Sequence, residues 1–245
     1  MFNIPLSLIQ EGTNLSVEQC IKIAIRLQAH FASLEAKAKA IREYDNKFII
    51  QIGSHIGNTE NDPIFKIVNS TTKMILVEPV PHLFKQLQDN YKIKFQNLAN
   101  ITFINKAVSN FVGEIEMTVP SYDNDYSQFP TWASQLASIN PLHVHAHLPN
   151  LKVNKIQVET TTLDDIIKEY NVEEIYLLQT DTEGHDYTIL MNYSFIIKPQ
   201  KIVFEHKHMD GFCTVGQKYI ELSKKLLSMG YTKKYKNTED TMFEL

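Results

Sequence analysis

The placing of short apolar runs constrains the fold of this chain more than any other feature. Phe48-Ile49-Ile50-Gln51-Ile52, Met74-Ile75-Leu76-Val77, Ile101 to Val108, Ile175 to Thr180 and Ile202-Val203-Phe204 are separated by amphipathic stretches. Runs of this length bounded by polar or turn residues read as buried strands, and the amphipathic stretches as helices. Helix starts are marked: Asp62 precedes Pro63, and Thr162 stands three residues before Asp165. Leu83, Phe84, Leu87 and Tyr91 trace one helical face. Strands alternating with helices predict an α/β fold, a parallel sheet covered on both faces. Glu114 to Val119 and Val153 to Thr160 add two alternating strands. The end of the chain differs. After a helix from Gln217 to Met229, stopped by Gly230, come Tyr231 to Lys236 and Thr241 to Leu245, joined by the polar turn Asn237-Thr238-Glu239-Asp240. No helix fits between these two strands, so they must pair antiparallel.

Ahead of the sheet, Ser16-Val17-Glu18-Gln19 has the spacing of a capping box. Apolar residues behind it recur at helical spacing, so residues 16–44 read as one or two helices. Residues 1–46 are expected to form an N-terminal helical extension and 47–245 a single globular unit. An apolar helix face there suits the chain's own sheet, a partner, or a twin chain in a homodimer.

Composition removes several classes. With 24 Lys and Arg against 28 Asp and Glu the formal charge is −4, too little positive field to favour nucleic acid. Two cysteines cannot build a disulfide framework or a four-cysteine zinc site. The first residues lack a basic segment followed by an apolar one, so no secretory signal is expected and the setting is read as cytoplasmic. The 26 residues from Tyr126 to Leu151 contain no Asp, Glu, Lys or Arg, yet three His and three Pro interrupt them and no membrane span results.

In open α/β sheets ligands lie at the carboxyl ends of the strands, near the point where strand order reverses. The first strand runs into Gly53-Ser54-His55-Ile56-Gly57, a loop whose glycines allow positive φ and a close approach of ligand to backbone. The second ends at Glu78, placed to accept hydrogen bonds from ribose hydroxyls. A nucleoside-bearing cofactor follows. NAD is the weaker option, because no third glycine follows in register to seat a pyrophosphate. Nor does any of the 11 tyrosines have a lysine four residues on. S-adenosylmethionine has no phosphate and tolerates the looser loop.

The motifs Gln-Ile-Gly-Ser-His-Ile-Gly (51–57), Val-Glu-Pro-Val-Pro (77–81), Asn-Lys-Ala-Val-Ser (105–109), Thr-Thr-Leu-Asp-Asp (161–165), Gln-Thr-Asp-Thr-Glu-Gly-His-Asp (179–186) and Phe-Glu-His (204–206) occur in this order. The ordered set resembles the FkbM-type methyltransferases, from about residue 48 to the C-terminus. The resemblance implies the Rossmann-like, seven-stranded class I methyltransferase sheet with its last strand antiparallel, and S-adenosylmethionine as methyl donor. It implies that Gly53, Ser54, His55 and Gly57 line the methionine part, that Glu78 holds the ribose and that Lys106, Ala107 and Val108 lie by the adenine, with Asp181 also at the cofactor. One departure stands out: the family's usual acidic residue is Gln51 here, and an amide makes a weaker contact without charge assistance. The implied reaction is methylation of a hydroxyl on a sugar, glycan or other small natural-product-like acceptor. The competing readings are a cofactor-binding module without catalysis and, behind it, an NAD-dependent oxidoreductase.

An alcohol is a poor nucleophile at neutral pH, so a base or a metal must help to remove its proton. Asp181, Glu183, His185, Glu205, His206 and His208 gather at two strand ends. Asp181 and His206 are the leading base candidates, with Glu183 and Glu205 orienting substrate or a metal, and Asp186 read as a first-turn helix acid. Mixed carboxylate and imidazole groups suit a divalent metal, but no fixed ligand spacing is evident, so the metal stays unassigned. His143, His145 and His147 share a face only on a strand. They are read first as hydrogen-bonding an acceptor or as having no role and only third as metal ligands, and a plain surface side chain is the alternative for His208. With Trp132, Ser134, Gln135, His143 and His145, the charge-free stretch is expected to be a lid or acceptor-binding loop, joined at the site by His185.

Overall fold

A computed structural model describes residues 16, 18, 19, 21–23, 25–27, 29, 47–60 and 62–245. The chain divides into two units, Met1–Asp45 and Asn46–Leu245. In the first, Ser16 N–H donates to Gln19 Oε1 at 2.8 Å and Gln19 N–H to Ser16 Oγ at 3.3 Å, the reciprocal bonds of a capping box. The described residues from 18 to 29 behind it are helical. Residues 1–15, 17, 20, 24, 28 and 30–46, the rest of the expected helical extension, lie outside the described residues.

In the second unit, β1 (Phe48–Ile52) and β2 (Lys73–Val77) are β-branched and aliphatic, and both pair parallel with Ile49, Ile50, Ile75 and Leu76 fully buried. Helix α1 (Pro63–Ile67) lies between them and α2 (Pro81–Lys94) follows β2, burying Leu83, Leu87 and Tyr91. The chain continues through β3 (Ile101–Ile104), β4 (Ala107–Val108) and β5 (Gly113–Pro120). Two 3-10 turns (Tyr126–Gln128 and Thr131–Gln135) and α3 (His143–His147) lead to β6 (Val153–Thr161). Then α4 (Leu163–Glu169), β7 (Ile175–Thr180), α5 (Asp186–Asn192), β8 (Lys201–Glu205), α6 (Gln217–Ser228), β9 (Thr232–Lys236) and β10 (Asp240–Glu244) complete it.

The main sheet has seven strands in the order β3-β2-β1-β7-β8-β10-β9. β10 inserts antiparallel between β8 and β9, so the terminal hairpin is the one the sequence predicts. Strand order reverses between β1 and β7, which defines the switch point.

Two expectations need correcting. The single strand from Ile101 to Val108 is two, because the chain leaves the main sheet after Ile104: Asn105 Nδ2 donates to the carbonyls of Glu78 and Pro79, and Ala107–Val108 pairs with β6 instead. The two alternating strands, β5 and β6, do not join the main sheet either. They pair with each other and with β4 in a second sheet of three strands, order β4-β6-β5. β5 is exposed over its first residues and buried from Met117 to Pro120, and β6 is exposed over much of its length, whereas β1 and β2 are buried from their second residue on.

The charge-free stretch is therefore the connection between the two long strands of this hairpin. It builds a small core from Ala133, Leu136, Val144 and Leu151, and Ser138 pairs back onto Thr118 of β5. Among the described residues no helix is long and apolar enough to cross a membrane.

Candidate active site

A cleft of about 950 Å³, open mouth included, lies at the carboxyl ends of β1, β2 and β7. Its floor depends on Gly53. That residue has φ +82°, and a Cβ there would stand 1.8 Å from the Asp181 carbonyl oxygen. Glycine is needed because the ends of β1 and β7 touch, with Asp181 N–H donating to the Ile52 carbonyl at 3.0 Å. Glu78 closes the neighbouring wall. Its Oε2 accepts from His55 N–H at 2.9 Å and its Oε1 from Val80 N–H at 2.8 Å. Burial pushes its carboxyl up to about 7, against the pull of those two amides.

Of the residues expected at the cofactor, Gly53, Ser54, His55, Glu78, Lys106, Ala107, Val108 and Asp181 all line this cleft. Gly57 does not. Its φ is +71°, and an added Cβ would meet Leu87 Cδ1 and Tyr91 Cε2 at 2.8 Å, so it is a packing glycine against α2. Gln51 reaches the cleft with a carboxylate behind it: its Nε2 donates to Asp62 Oδ2 at 3.1 Å. Asp62 also caps α1, its Oδ1 accepting from Ile64 and Phe65 N–H. Sequence reasoning took Asp62 for a cap alone. An acidic cap shortly after the glycine loop was the available signal, but only the fold brings it to Gln51.

Among the described residues four carboxylates, Asp62, Glu78, Asp181 and Glu183, line the cleft with a single lysine, Lys106, which is paired with Glu159 at 3.0 Å. Such a wall favours a cationic ligand over a pyrophosphate. Asp181 opens onto the cleft, and crowding by protein together with the charge of Glu183 raises its carboxyl well above the ordinary range. Burial first, then Asp186, raises Glu183 to about 8. Glu205 is raised in the same direction by burial and by Asp181. Asp186 is fully buried and accepts from Thr182 Oγ1 at 2.7 Å, in keeping with a helix-start acid.

His206 is not brought to the site. It follows Glu205, and successive residues of an extended chain face opposite ways. Its Nδ1 stands 3.1 Å from Thr241 Oγ1 and its ring packs on Tyr219, on the side away from the cleft. His208 is buried rather than on the surface, 5 % exposed.

The charge-free stretch contributes unevenly. Gln135, Ala137 and Ile139 line the cleft, and the Ser134 carbonyl stands 3.3 Å from His55 Nε2. Trp132 is 38 % exposed with its ring near that of His147. His145 turns away, its Nε2 3.1 Å from the Leu151 carbonyl. His185 lines the cleft and stands 3.0 Å from Ser109 Oγ.

An adjoining hollow shares Glu183 and His185 with the cleft and is walled by His143 and His208. His143 Nε2 lies 2.7 Å from Glu183 Oε2. Burial lowers His143 and His147 to about 4 and His208 to about 3. Among the described residues, one group of His, Cys, Asp or Glu has metal-compatible spacing: His143, His147, Glu183 and His208. The signal missed in the sequence was the four-residue interval from His143 to His147, which on a helix puts both on one face.

The chain matches the Methyltransferase FkbM domain over residues 51–232 and belongs to that family. No curated protein matches it in sequence. Among solved structures it is similar to the FkbM methyltransferase of Methylobacillus flagellatus, at 13% identity and a TM-score of 0.49, covering 82% of this chain and 44% of that one. The chain thus spans less than half the length of that protein. It is also similar to Aeropyrum pernix fibrillarin with natively bound S-adenosyl-L-methionine (12% identity, TM-score 0.42, 83% and 68% covered). A methyltransferase of Podospora anserina with bound S-adenosylhomocysteine is a third (10% identity, TM-score 0.42, 98% and 85% covered).

Proposed function

We propose that this protein is an S-adenosylmethionine-dependent methyltransferase that methylates a hydroxyl of an uncharged sugar, glycan or other small natural-product-like acceptor. The observation that carries the reading is the meeting of Glu78 and Asp181, from the ends of β2 and β7, in one cleft at the switch point. Membership in the methyltransferase family supports it. The acidic lining supports a donor that carries a sulfonium and an ammonium, and speaks against the pyrophosphate of NAD.

Glu78 accepts from the ribose hydroxyls, Lys106, Ala107 and Val108 flank the adenine, and Gly53, Ser54 and His55 border the methionine part. Asp62, bonded to Gln51, supplies the carboxylate that Gln51 lacks, which supports an enzyme over a module without catalysis. The acceptor enters from the side of Gln135 and His185, with Trp132 at the rim. Bound there, S-adenosylmethionine would offer its sulfonium methyl for in-line displacement by the acceptor oxygen, with S-adenosylhomocysteine as leaving group, and the Asp181 carboxylate would take the hydroxyl proton. Glu183, in the lining, and Glu205, behind it, orient the acceptor or a metal beside it.

Calorimetry with S-adenosylmethionine tests the first half. The unaltered chain is expected to bind and Glu78→Ala to bind far more weakly; no binding by the unaltered chain overturns the reading. Turnover on a panel of hydroxylated acceptors tests the second half. Exchange of Trp132 with no change in acceptor affinity counts against its place at the rim.

A further inference from the structure

We propose that His143, His147, Glu183 and His208 form a binding site for one divalent transition metal ion of the zinc type, which fixes the acceptor-side segment onto the strand ends. The four residues come from three separate places: two from α3, one from the loop after β7 and one from the loop after β8. Their ligand atoms all lie within 4.8 Å of one another. The three imidazole rings stand at the corners of a triangle, each pair of centroids 4.8 Å apart. Glu183 Oε2 faces the group, 2.7 Å from His143 Nε2 and 3.9 Å from His208 Nε2.

A hydrophobic connection does not need this arrangement. The His147 Nε2 atom is buried and has no hydrogen-bond partner, an unfavourable state that a metal bond would relieve. His145, between the two α3 ligands, instead has its Nε2 3.1 Å from a backbone carbonyl, so the cluster is selective within its own helix. Glu205 Oε1, 3.5 Å from His208 Nε2, adds negative charge beside the ion.

Three imidazoles and one carboxylate suit zinc, cobalt or iron far better than magnesium, which prefers oxygen ligands and retained water. Bonds of ~2.0–2.1 Å in a tetrahedron put ligand atoms roughly 3.3–3.4 Å apart, so on binding the widest pairs, up to 4.8 Å apart, would draw together and the 2.7 Å His143–Glu183 pair would open. Four protein ligands leave no open position, the pattern of a structural site. The ion would hold α3, and with it the 3-10 turn that carries Gln135, in a set place beside the cleft. Asp181 is then left free of the ion while Glu183 is committed to it. One local change follows. Cys213 N–H donates to His208 Nδ1 at 3.2 Å, and a metal on Nε2 moves the ring proton to Nδ1 and displaces that amide.

The test uses the full chain with Zn²⁺ and Co²⁺ as probes, beside Mg²⁺. One equivalent of Zn²⁺ should survive gel filtration, Mg²⁺ should not, and Co²⁺ should give the intense visible bands of tetrahedral coordination. His147→Ala and the milder His147→Gln should lose both signals, while His145→Ala keeps them. Hydrogen exchange at Cys213 should quicken when the ion binds. Absence of tetrahedral cobalt bands in the unaltered protein overturns the proposal, whether or not the variants fold. Equal loss in His145→Ala and His147→Gln overturns it as well. S-adenosylmethionine binding is measured separately on zinc-loaded and chelator-treated protein. Donor binding without metal retention defeats this site alone, and metal retention without donor binding defeats the cofactor reading alone.

Discussion

Glu78 Oε2 accepts from the backbone N–H of His55 at 2.9 Å, tying the loop after β1 to the end of β2. The carboxylate is only 4 % exposed, and its other oxygen is bonded to Val80 N–H. Each oxygen keeps a second lone pair, so the group that shapes the loop can also accept from a ligand's hydroxyls.

That burial gives Glu78 a contribution to the stability of the ligand-free protein that falls as pH rises. The folded state holds the Glu78 proton up to about pH 7, whereas the unfolded chain releases it near its ordinary value of 4.5. Below that value both states are protonated and nothing is lost; through the interval the unfolded state is favoured increasingly. Relative to Glu78→Gln, the unaltered protein should lose about 3 kcal/mol between pH 4 and pH 8. His55, lowered to about 4 by burial, contributes in the opposite sense, and because both proteins carry it the comparison with Glu78→Gln cancels its contribution. Urea titrations of both proteins across this range check the difference, and equal slopes would contradict it. In the same interval donor affinity should rise with pH, by up to about tenfold per unit.

Gly53→Ala should unfold the site rather than tune it. The added carbon overlaps the Asp181 carbonyl and demands a left-handed backbone of a residue with a side chain. A cost of about 3 kcal/mol or more is expected, read as a fall in the urea midpoint. A stability within about 0.5 kcal/mol of the parent would show that β1 and β7 can part cheaply.

Asp62 separates its two tasks by substitution. Asparagine is as good a helix cap as aspartate, so Asp62→Asn should leave stability nearly intact. Donor affinity should nevertheless drop about tenfold, because a charge-assisted contact is lost from the cleft. Asp62→Ala should lose both, with a further ~1 kcal/mol of stability. Parallel calorimetry and thermal melts distinguish the cases. An Asp62→Asn chain of unchanged affinity would place the carboxylate outside donor binding.

Asp181→Asn should lower the rate of methyl transfer by about 10²–10⁴-fold while changing donor affinity far less. Single-turnover measurements with saturating donor give the first quantity and calorimetry the second. If both fall together, Asp181 holds the donor and is not the base.

The alternation of strands and helices, the terminal hairpin and most residues that line the cleft are legible in the chain because they depend on local rules. Ile49, Ile50 and Ile75 are buried for the reason that makes them recognisable, and residues at strand ends such as Glu78 and Asp181 must emerge at one edge of a parallel sheet. Gly57 and His206 were misread because the same residue types also serve packing. Gly57 is small to admit Tyr91, and His206 turns to Thr241 and Tyr219 instead of the cleft. Alternation was visible for β5 and β6, but period alone does not say which sheet a strand joins.

What the sequence by itself determined is the kind of fold and the edge at which its chemistry stands, since periodicity and strand-end residues act over a few positions. Only the tertiary structure decided which distant groups meet. Asp62 answers Gln51 across a helix start, and His143 and His147 reach Glu183 and His208 because the hairpin between β5 and β6 folds its connection back over the strand ends. These are contacts between segments far apart in the chain, and no local spacing encodes them.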